Sequence, residues 1–373
     1  MNVALVHDYL KEYGGAERVL EALHEIFPEA PVFTAFYFPQ YLGPHRERFS
    51  NWQIITSFMQ NIPMADRLVS PLRLISQYAF ESWNLDKFDL VIVSSTGAYF
   101  PNLIRTKPSS KHLCYCHTPP RYLYGYATAR NWMKYPWGRV AGEFFNHKLR
   151  QTDFLAAQRP DFFIANSIEV KGRISKFYRR EATVIYPPVE IADRIKNSEL
   201  RMRNKNKTYY LAGGRLARAK NIDLIIEAAN KLKLPLKIFG RAFAGYGQEL
   251  RERAGPTVEF IGEVSNRELS GLYRQAKALI FASEDEDFGI MPVEAQALGT
   301  SVIAYRSGGV KETIIEGKTG VFFDELNTES LTAAIRSFRM KKFKAEDCRD
   351  NAKRFSRARF KKEIINFINN NCA

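Results

Sequence analysis

The chain has 373 residues, 45% hydrophobic and 25% charged, so two domains of ordinary globular composition are expected, since one hydrophobic core stops growing at about 250–300 residues. A net charge of +15 suits nucleic acid, an anionic membrane surface, phosphorylated small molecules or simply a solvated basic surface, but zinc-finger spacing, an RNP-like aromatic signature and a long basic arm are all missing, so no nucleic-acid partner is expected. No run of about 18 apolar residues argues for a spanning helix, and MNVALVHDYL lacks a basic start and meets His7 and Asp8 too early for a secretion signal, which makes the cytoplasm the expected compartment.

NVALV (2–6) reads as a short buried strand; after the loop HDYLKEYGG, the stretch AERVLEALHEIF carries apolar residues at helical spacing. Strand-like runs follow at PVFTAFY, NWQIIT, DLVIVSS, KHLCYC and PDFFIANS, with helical patterns between several of them. Among these, segment 58–85 mixes apolar residues with Arg67 and Arg73 and reads either as an interfacial amphipathic stretch or as an ordinary core helix. Near 186–208 the texture turns polar, from YPPVE to Lys207, which marks a linker. A second alternation then runs YYLAGG, a helix from Asn221, LKIFG, TVEFIG, a helix near 265–276, ALIFAS, a helix near 291–298, SVIAY and GVFF, before a mostly helical end. Continuous apolar strands alternating with helices predict parallel sheets covered on both faces, hence two α/β domains in tandem, 1–188 and 189–353.

Ligands of such sheets lie beyond the carboxyl ends of the strands. His117, the trio Gly213, Gly214 and Arg215, and the loop from Glu284 onward all follow strands at that end. Cys114 and Cys116 share one strand face and, with His117, raise a metal site. No second close pair gives zinc-like spacing, so these cysteines, with Cys348 and Cys372, are expected as buried thiols rather than metal ligands.

Three stretches carry chemistry. In ALIFASEDEDFGIMPVEAQALG (278–299) a strand leads through an acidic loop to a helix; Pro292 suits its first turn, and the amides of Gly289, Ile290 and Met291 would meet an anion at the helix N-terminus. Glu286 precedes that helix and Glu294 is expected in its first turn, so both either face one ligand or simply complement the dipole and solvent. In AGGRLARAKN (212–221) Arg215 and Lys220 offer a guanidinium fork and a point charge to phosphate, or stand as surface cations. The P-loop pattern is absent, and Gly14–Gly15 in HDYLKEYGGAERV is not the nicotinamide fingerprint, so it is either turn chemistry or a close-approach site.

Together these motifs resemble the retaining glycosyltransferases of family 4, over essentially the whole chain: E-x7-E from Glu286 to Glu294, GGR-x4-K from Gly213 to Lys220, and GGVKETIIEGKTG (308–320). YCHTPPRYLYGY (115–126) is similar to the version in mannosyltransferases of bacterial O-antigen and surface-polysaccharide synthesis. The resemblance implies the GT-B fold, two Rossmann-like domains with parallel sheets facing a central cleft that closes about a hinge near 186–190. It implies an acceptor-binding first domain, a donor-binding second domain, and a C-terminal helix (about 354–373) packing back on the first. Arg215 and Lys220 would hold the donor diphosphate, Glu294 the ribose and Glu286 the sugar hydroxyls. Amides of Phe288, Gly289 and Ile290 would bind sugar and phosphate oxygens, and His117 would lie beside the donor sugar. Gly14, Gly15 and Gly214 would admit the substrates closely, and Arg121 with Tyr122 and the neighbouring tyrosines would shape the acceptor wall.

The implied reaction moves a hexose, mannose from GDP-mannose being favoured and a UDP-sugar the alternative, onto a glycan or polyprenyl-diphosphate-linked acceptor, without metal or cofactor. The protein would be cytoplasmic and peripheral on the inner membrane face. Base recognition falls to FGRAFAGYG (239–247) and FIGEVS (260–265). A basic nucleic-acid binder accounts for the charge but not for these motifs together, and the intact motifs argue against a catalytically silent scaffold in a polysaccharide assembly complex.

Overall fold

In the computed structural model of the chain, residues 1–127, 136–190, 207–242 and 245–372 are described. Most of the predicted linker (191–206), most of the basic run at 201–207, and Phe243 and Ala244 of the base-recognition stretch lie outside them. The chain divides into two compact units. One holds Met1–Tyr126, the segment ending at Pro188, and Arg357 onward; the other holds Val189–Ser356.

The first unit contains a parallel seven-stranded sheet of β1 (Val3–His7), β2 (Val32–Thr34), β3 (Ile54–Thr56), β4 (Leu90–Ser95), β5 (Lys111–Cys116), β6 (Phe162–Ala165) and β7 (Thr183–Val184), ordered β3-β2-β1-β4-β5-β6-β7. The apolar runs read from the sequence supply every strand but β7, whose two residues are too short to show a pattern. Strands β1 and β4 are buried along their whole length, as a sheet covered on both faces requires. Helix Gly15–Ile26 covers one face, and the C-terminal helix Arg357–Asn371 packs beside it. That last helix buries Phe360, Ile364 and Ile368, each contributing about 1.5–3 kcal/mol of transfer free energy, and Arg357 pairs with Glu25 at its edge.

Segment 58–85 departs from the expected helix. It forms the short 3-10 turns Phe58–Asn61 and Pro71–Ile75, and then the six-residue helix Ser76–Glu81. Pro63 and Pro71 cannot continue a helix, and Met64 turns through a left-handed conformation. Its Met59, Ala65, Leu72, Ala79 and Phe80 are buried, while Phe58, Met64, Leu74 and Tyr78 are exposed.

The second unit repeats the architecture without a sequence repeat. Strands β8 (Tyr209–Gly213), β9 (Leu236–Phe239), β10 (Val258–Gly262), β11 (Ala276–Phe281), β12 (Val302–Tyr305) and β13 (Gly320–Phe323) form a parallel sheet ordered β10-β9-β8-β11-β12-β13. Both sheets therefore place their first strand centrally and reverse direction of growth beside it, between β1 and β4 and between β8 and β11. That reversal opens a crevice at the carboxyl ends, the usual binding position of such sheets. All four cysteines are buried and none forms a disulfide.

Candidate functional site

In the second unit, the loop after β8 and the loop after β11 meet at the reversal point. Gly214 has φ +98, a left-handed conformation that favours glycine, and a Cβ there would displace the Met291 side chain, whose Sδ would lie at 2.8 Å. Glu284 N–H donates to Ala219 O (2.9 Å), and Asn221 Nδ2 to Ala282 O (2.9 Å), which ties one loop to the other. The acidic loop is further held from β12: Gly309 N–H donates to Glu286 O (2.8 Å), and Asp285 N–H to Ser307 Oγ (3.2 Å). Gly308 has φ +61, and its Cβ would stand 2.0 Å from Glu286 O, which explains why GGVKE accompanies EDEDFG.

Within this frame Lys220 Nζ lies 2.5 Å from Glu286 Oε2 and 3.0 Å from Ser283 Oγ, while Ser283 donates to the same carboxylate oxygen at 2.5 Å. Lysine and glutamate, assigned separate roles from the sequence, thus form one ion pair, with side chains 27% and 18% exposed: open enough to be reached by a ligand, enclosed enough to be oriented. Arg215 stands exposed just upstream. Helix Ile290–Ala297 begins after Gly289, its left-handed N-cap, so the amides of Gly289, Ile290 and Met291 stand at the helix start. Phe288 turns its ring inward against Phe355 (5.3 Å), leaving its main chain to serve the loop.

Glu294 does not lie in the first helical turn as expected. The helix begins at Ile290, which makes Glu294 its fifth residue, past the turn where the dipole acts most strongly. Its carboxylate accepts from Tyr273 Oη at 3.4 Å, so the two glutamates have separate partners. Neither Ser283 nor Tyr273 was picked out by sequence reasoning. Ser283 ends the ALIFAS run, a signal of position, whereas nothing in the sequence links Tyr273 to Glu294.

In the first unit the carboxyl ends of β1, β4 and β5 bring His7, Ser94 and His117 together. His7 Nδ1 lies 3.0 Å from Ser94 O and 3.2 Å from Ser94 Oγ, and that hydroxyl lies 2.9 Å from His117 Nε2. Burial, aided by the nearby His7, pushes the His117 pKa down to about 3, so its ring is neutral. Asp8, the residue after β1, accepts Thr96 N–H (2.6 Å) and Tyr99 N–H (2.7 Å), and burial raises its pKa. Glu17 accepts Gly14 N–H at 2.7 Å. Gly14 has φ −135, open to any residue, and a Cβ there would make ordinary contact with Glu17, so the fold itself does not demand this glycine. Gly15 opens the helix. His7, Asp8, Glu17 and Ser94 were all missed as site residues, although His7 and Asp8 follow a strand end as plainly as His117 does.

The stretch after His117 is pinned rather than loose. Thr118 Oγ1 accepts from Arg173 Nη1 (3.1 Å), and the Arg173 guanidinium covers the Tyr126 ring at 4.2 Å. The expected tyrosine wall is corrected in part. Tyr115 is buried and donates to Ile185 O (2.9 Å), because strand alternation turns it into the core. Tyr124 donates to Asp153 (2.8 Å) and stacks on Phe177. Tyr122 packs against the core beneath Arg73, 3.9 Å from its ring, and Arg121 is half-buried next to it.

Among the described residues no group of three His, Cys, Asp or Glu side chains is placed to hold a metal, and no helix is long and apolar enough to cross a membrane.

Residues 13–193 match Glycosyltransferase Family 4, and residues 193–355 match Glycosyl transferases group 1. An alpha-1,3/1,6-mannosyltransferase ALG2 of Rhizomucor pusillus is 22% identical over 74% of this chain and 69% of its own length. A D-inositol 3-phosphate glycosyltransferase of Arthrobacter is 32% identical over 32% of this chain and 31% of its own. Among solved structures, Anabaena Alr3699/HepE in complex with UDP-glucose superposes with a TM-score of 0.68 at 18% identity, over 99% of this chain and 100% of that one.

Proposed function

This chain is a glycosyltransferase of the GT-B type, and from that premise we propose that it transfers a hexose, with retention, from a nucleotide sugar to a glycan hydroxyl. The observation that carries the proposal is the Lys220–Ser283–Glu286 cluster beside the helix that starts after Gly289. A leaving diphosphate gains charge as the glycosidic bond breaks. Lys220, Arg215 and the helix amides would stabilise that charge in place, and preorganised groups of this kind supply the largest part of many rate enhancements. Glu286 would hold sugar hydroxyls, its carboxylate oriented by Ser283, and Glu294 the ribose, its carboxylate oriented by Tyr273. The second unit would thus carry the donor without a metal, and the first unit, with His117, Gly14, Gly15, Arg121 and Tyr122, would carry the acceptor. Attack on the face from which the diphosphate departs, with that phosphate as base, accounts for retention; a glycosyl-enzyme trapped on a carboxylate would refute it.

GDP-mannose is the donor favoured, supported by the YCHTPPRYLYGY stretch and the mannosyltransferase relative. A UDP-sugar is the second reading, supported by the UDP-glucose complex of the structural neighbour. Incubation with GDP-mannose, UDP-glucose, UDP-N-acetylglucosamine and ADP-glucose in EDTA, following binding and slow hydrolysis, decides between them. Selective binding that Arg215→Ala and Glu294→Ala abolish supports the proposal; binding that needs a divalent ion, or persists in both variants, contradicts it. The acceptor would be a lipid-linked glycan, met at the inner membrane surface by the exposed Phe58, Met64, Leu74 and Tyr78 with Arg67 among them. Arg73 is engaged inward with Ala98 O (2.8 Å) and Tyr122, so Arg67→Glu is the informative change: liposome binding that survives it removes this surface.

A further inference from the structure

Ser94 and His7 are fully buried, and His117 is 8% exposed, so every proton in their contacts must be matched by an acceptor within the protein. A carbonyl only accepts, so His7 Nδ1, 3.0 Å from Ser94 O, carries a hydrogen. Ser94 Oγ has two hydrogen-bond partners among the described residues, His7 Nδ1 at 3.2 Å and His117 Nε2 at 2.9 Å. With His7 already a donor, the hydroxyl hydrogen has one acceptor within reach, His117 Nε2. That nitrogen must then be bare, and the neutral ring carries its proton on Nδ1. The other nitrogen of His7 has no hydrogen-bond partner and lies 3.6 Å from Glu17 Oε1, so the hydrogen-bonding work of His7 is done through Ser94.

We infer that His7 is a positioning residue that acts through the Ser94 hydroxyl to lock His117 in its Nδ1–H tautomer. His117 thereby offers one fixed donor, to a substrate oxygen, and takes no part as a general base. The neutral ring at pH 7 agrees with this. The inference rests on the glycosyl-transfer reading for what His117 touches, but not for the state of its ring.

Nitrogen-15 NMR of the full chain with labelled histidine tests it without substrate, the His117 signals being assigned by their loss in His117→Gln. The wild type should show a bare Nε2 and a protonated Nδ1 at pH 7. Ser94→Ala should admit the opposite tautomer. His7→Asn, whose side-chain amide keeps a donor where Nδ1 stood, should retain the wild-type pattern, and His7→Leu should lose it. A protonated Nε2 in the wild type, or an unchanged ring in Ser94→Ala, overturns the inference whatever the activity, and the wild-type spectrum alone suffices if a variant fails to fold. In parallel, kcat/KM for the preferred nucleotide sugar should fall about tenfold in Ser94→Ala and recover in His7→Asn relative to His7→Leu. A shifted tautomer with unaltered turnover leaves the relay standing and instead overturns the placement of His117 at the substrate.

Discussion

The strand ends of the two units are built from opposite materials. In the first, His7, Asp8, Ser94 and His117 are buried, and burial holds His117 neutral and raises the pKa of Asp8. In the second, Lys220 and Glu286 are partly open and stand as a charged pair, with Arg215 exposed nearby. Charges kept near water can accept a charged diphosphate without large desolvation, whereas hydrogen-bonding groups excluded from water are held in fixed directions. On the proposed reading, the same topology would serve electrostatic stabilisation in one unit and hydrogen-bond selection in the other.

The largest effect that tests this contrast is expected at Lys220. Lys220→Ala removes the central cation and should lower kcat about 10²–10³-fold in a steady-state assay with the preferred donor; a loss of less than threefold would mean that the charged cluster is not where the leaving group sits. Next comes the scaffold beneath it. Gly308→Ala forces a Cβ to within 2.0 Å of Glu286 O at φ +61, and should cost about 2–3 kcal/mol in chemical denaturation. An unchanged midpoint would show that the acidic loop adjusts and is not rigidly held.

Asp153 sharpens the buried side of the comparison. Burial pushes its pKa up to about 7, against the lowering effect of bonds from Tyr124 and Tyr178. The folded state therefore keeps this proton up to about pH 7, whereas the unfolded chain releases it near 3.8. Its contribution to stability is greatest below the unfolded value, falls as pH rises through that window by at most about 1.4 kcal/mol per pH unit, and levels off above it. Asp153→Asn lacks this dependence, so the wild type minus variant difference in unfolding free energy should decline from pH 4 to 7; a flat difference would place Asp153 in an ordinary carboxylate environment. The smallest effect is expected for Tyr273→Phe. Its 3.4 Å bond to Glu294 is long, so nucleotide affinity should weaken only about two- to threefold by calorimetry.

Much of this was legible in the chain because the signals are local. KHLCYC forms β5 with the limits read from the sequence, and YYLAGG and ALIFAS deliver Arg215 and Glu286 to strand ends because a strand's exit is set by where its apolar run stops. Segment 58–85 misled because its apolar spacing is helical on average, while two prolines divide it into separate turns.

By itself the sequence determined two parallel α/β units, the strand ends from which the candidate residues emerge, and the residue types of a cation- and carboxylate-bearing candidate site, all encoded in runs of neighbouring residues. Only the tertiary structure decided that Lys220 and Glu286 form one pair oriented by Ser283, that Tyr273 meets Glu294, and that His7 reaches His117 through Ser94. These contacts span 66, 21 and 23 or more residues of chain and depend on which strands lie side by side, an outcome of sheet order that no local pattern records.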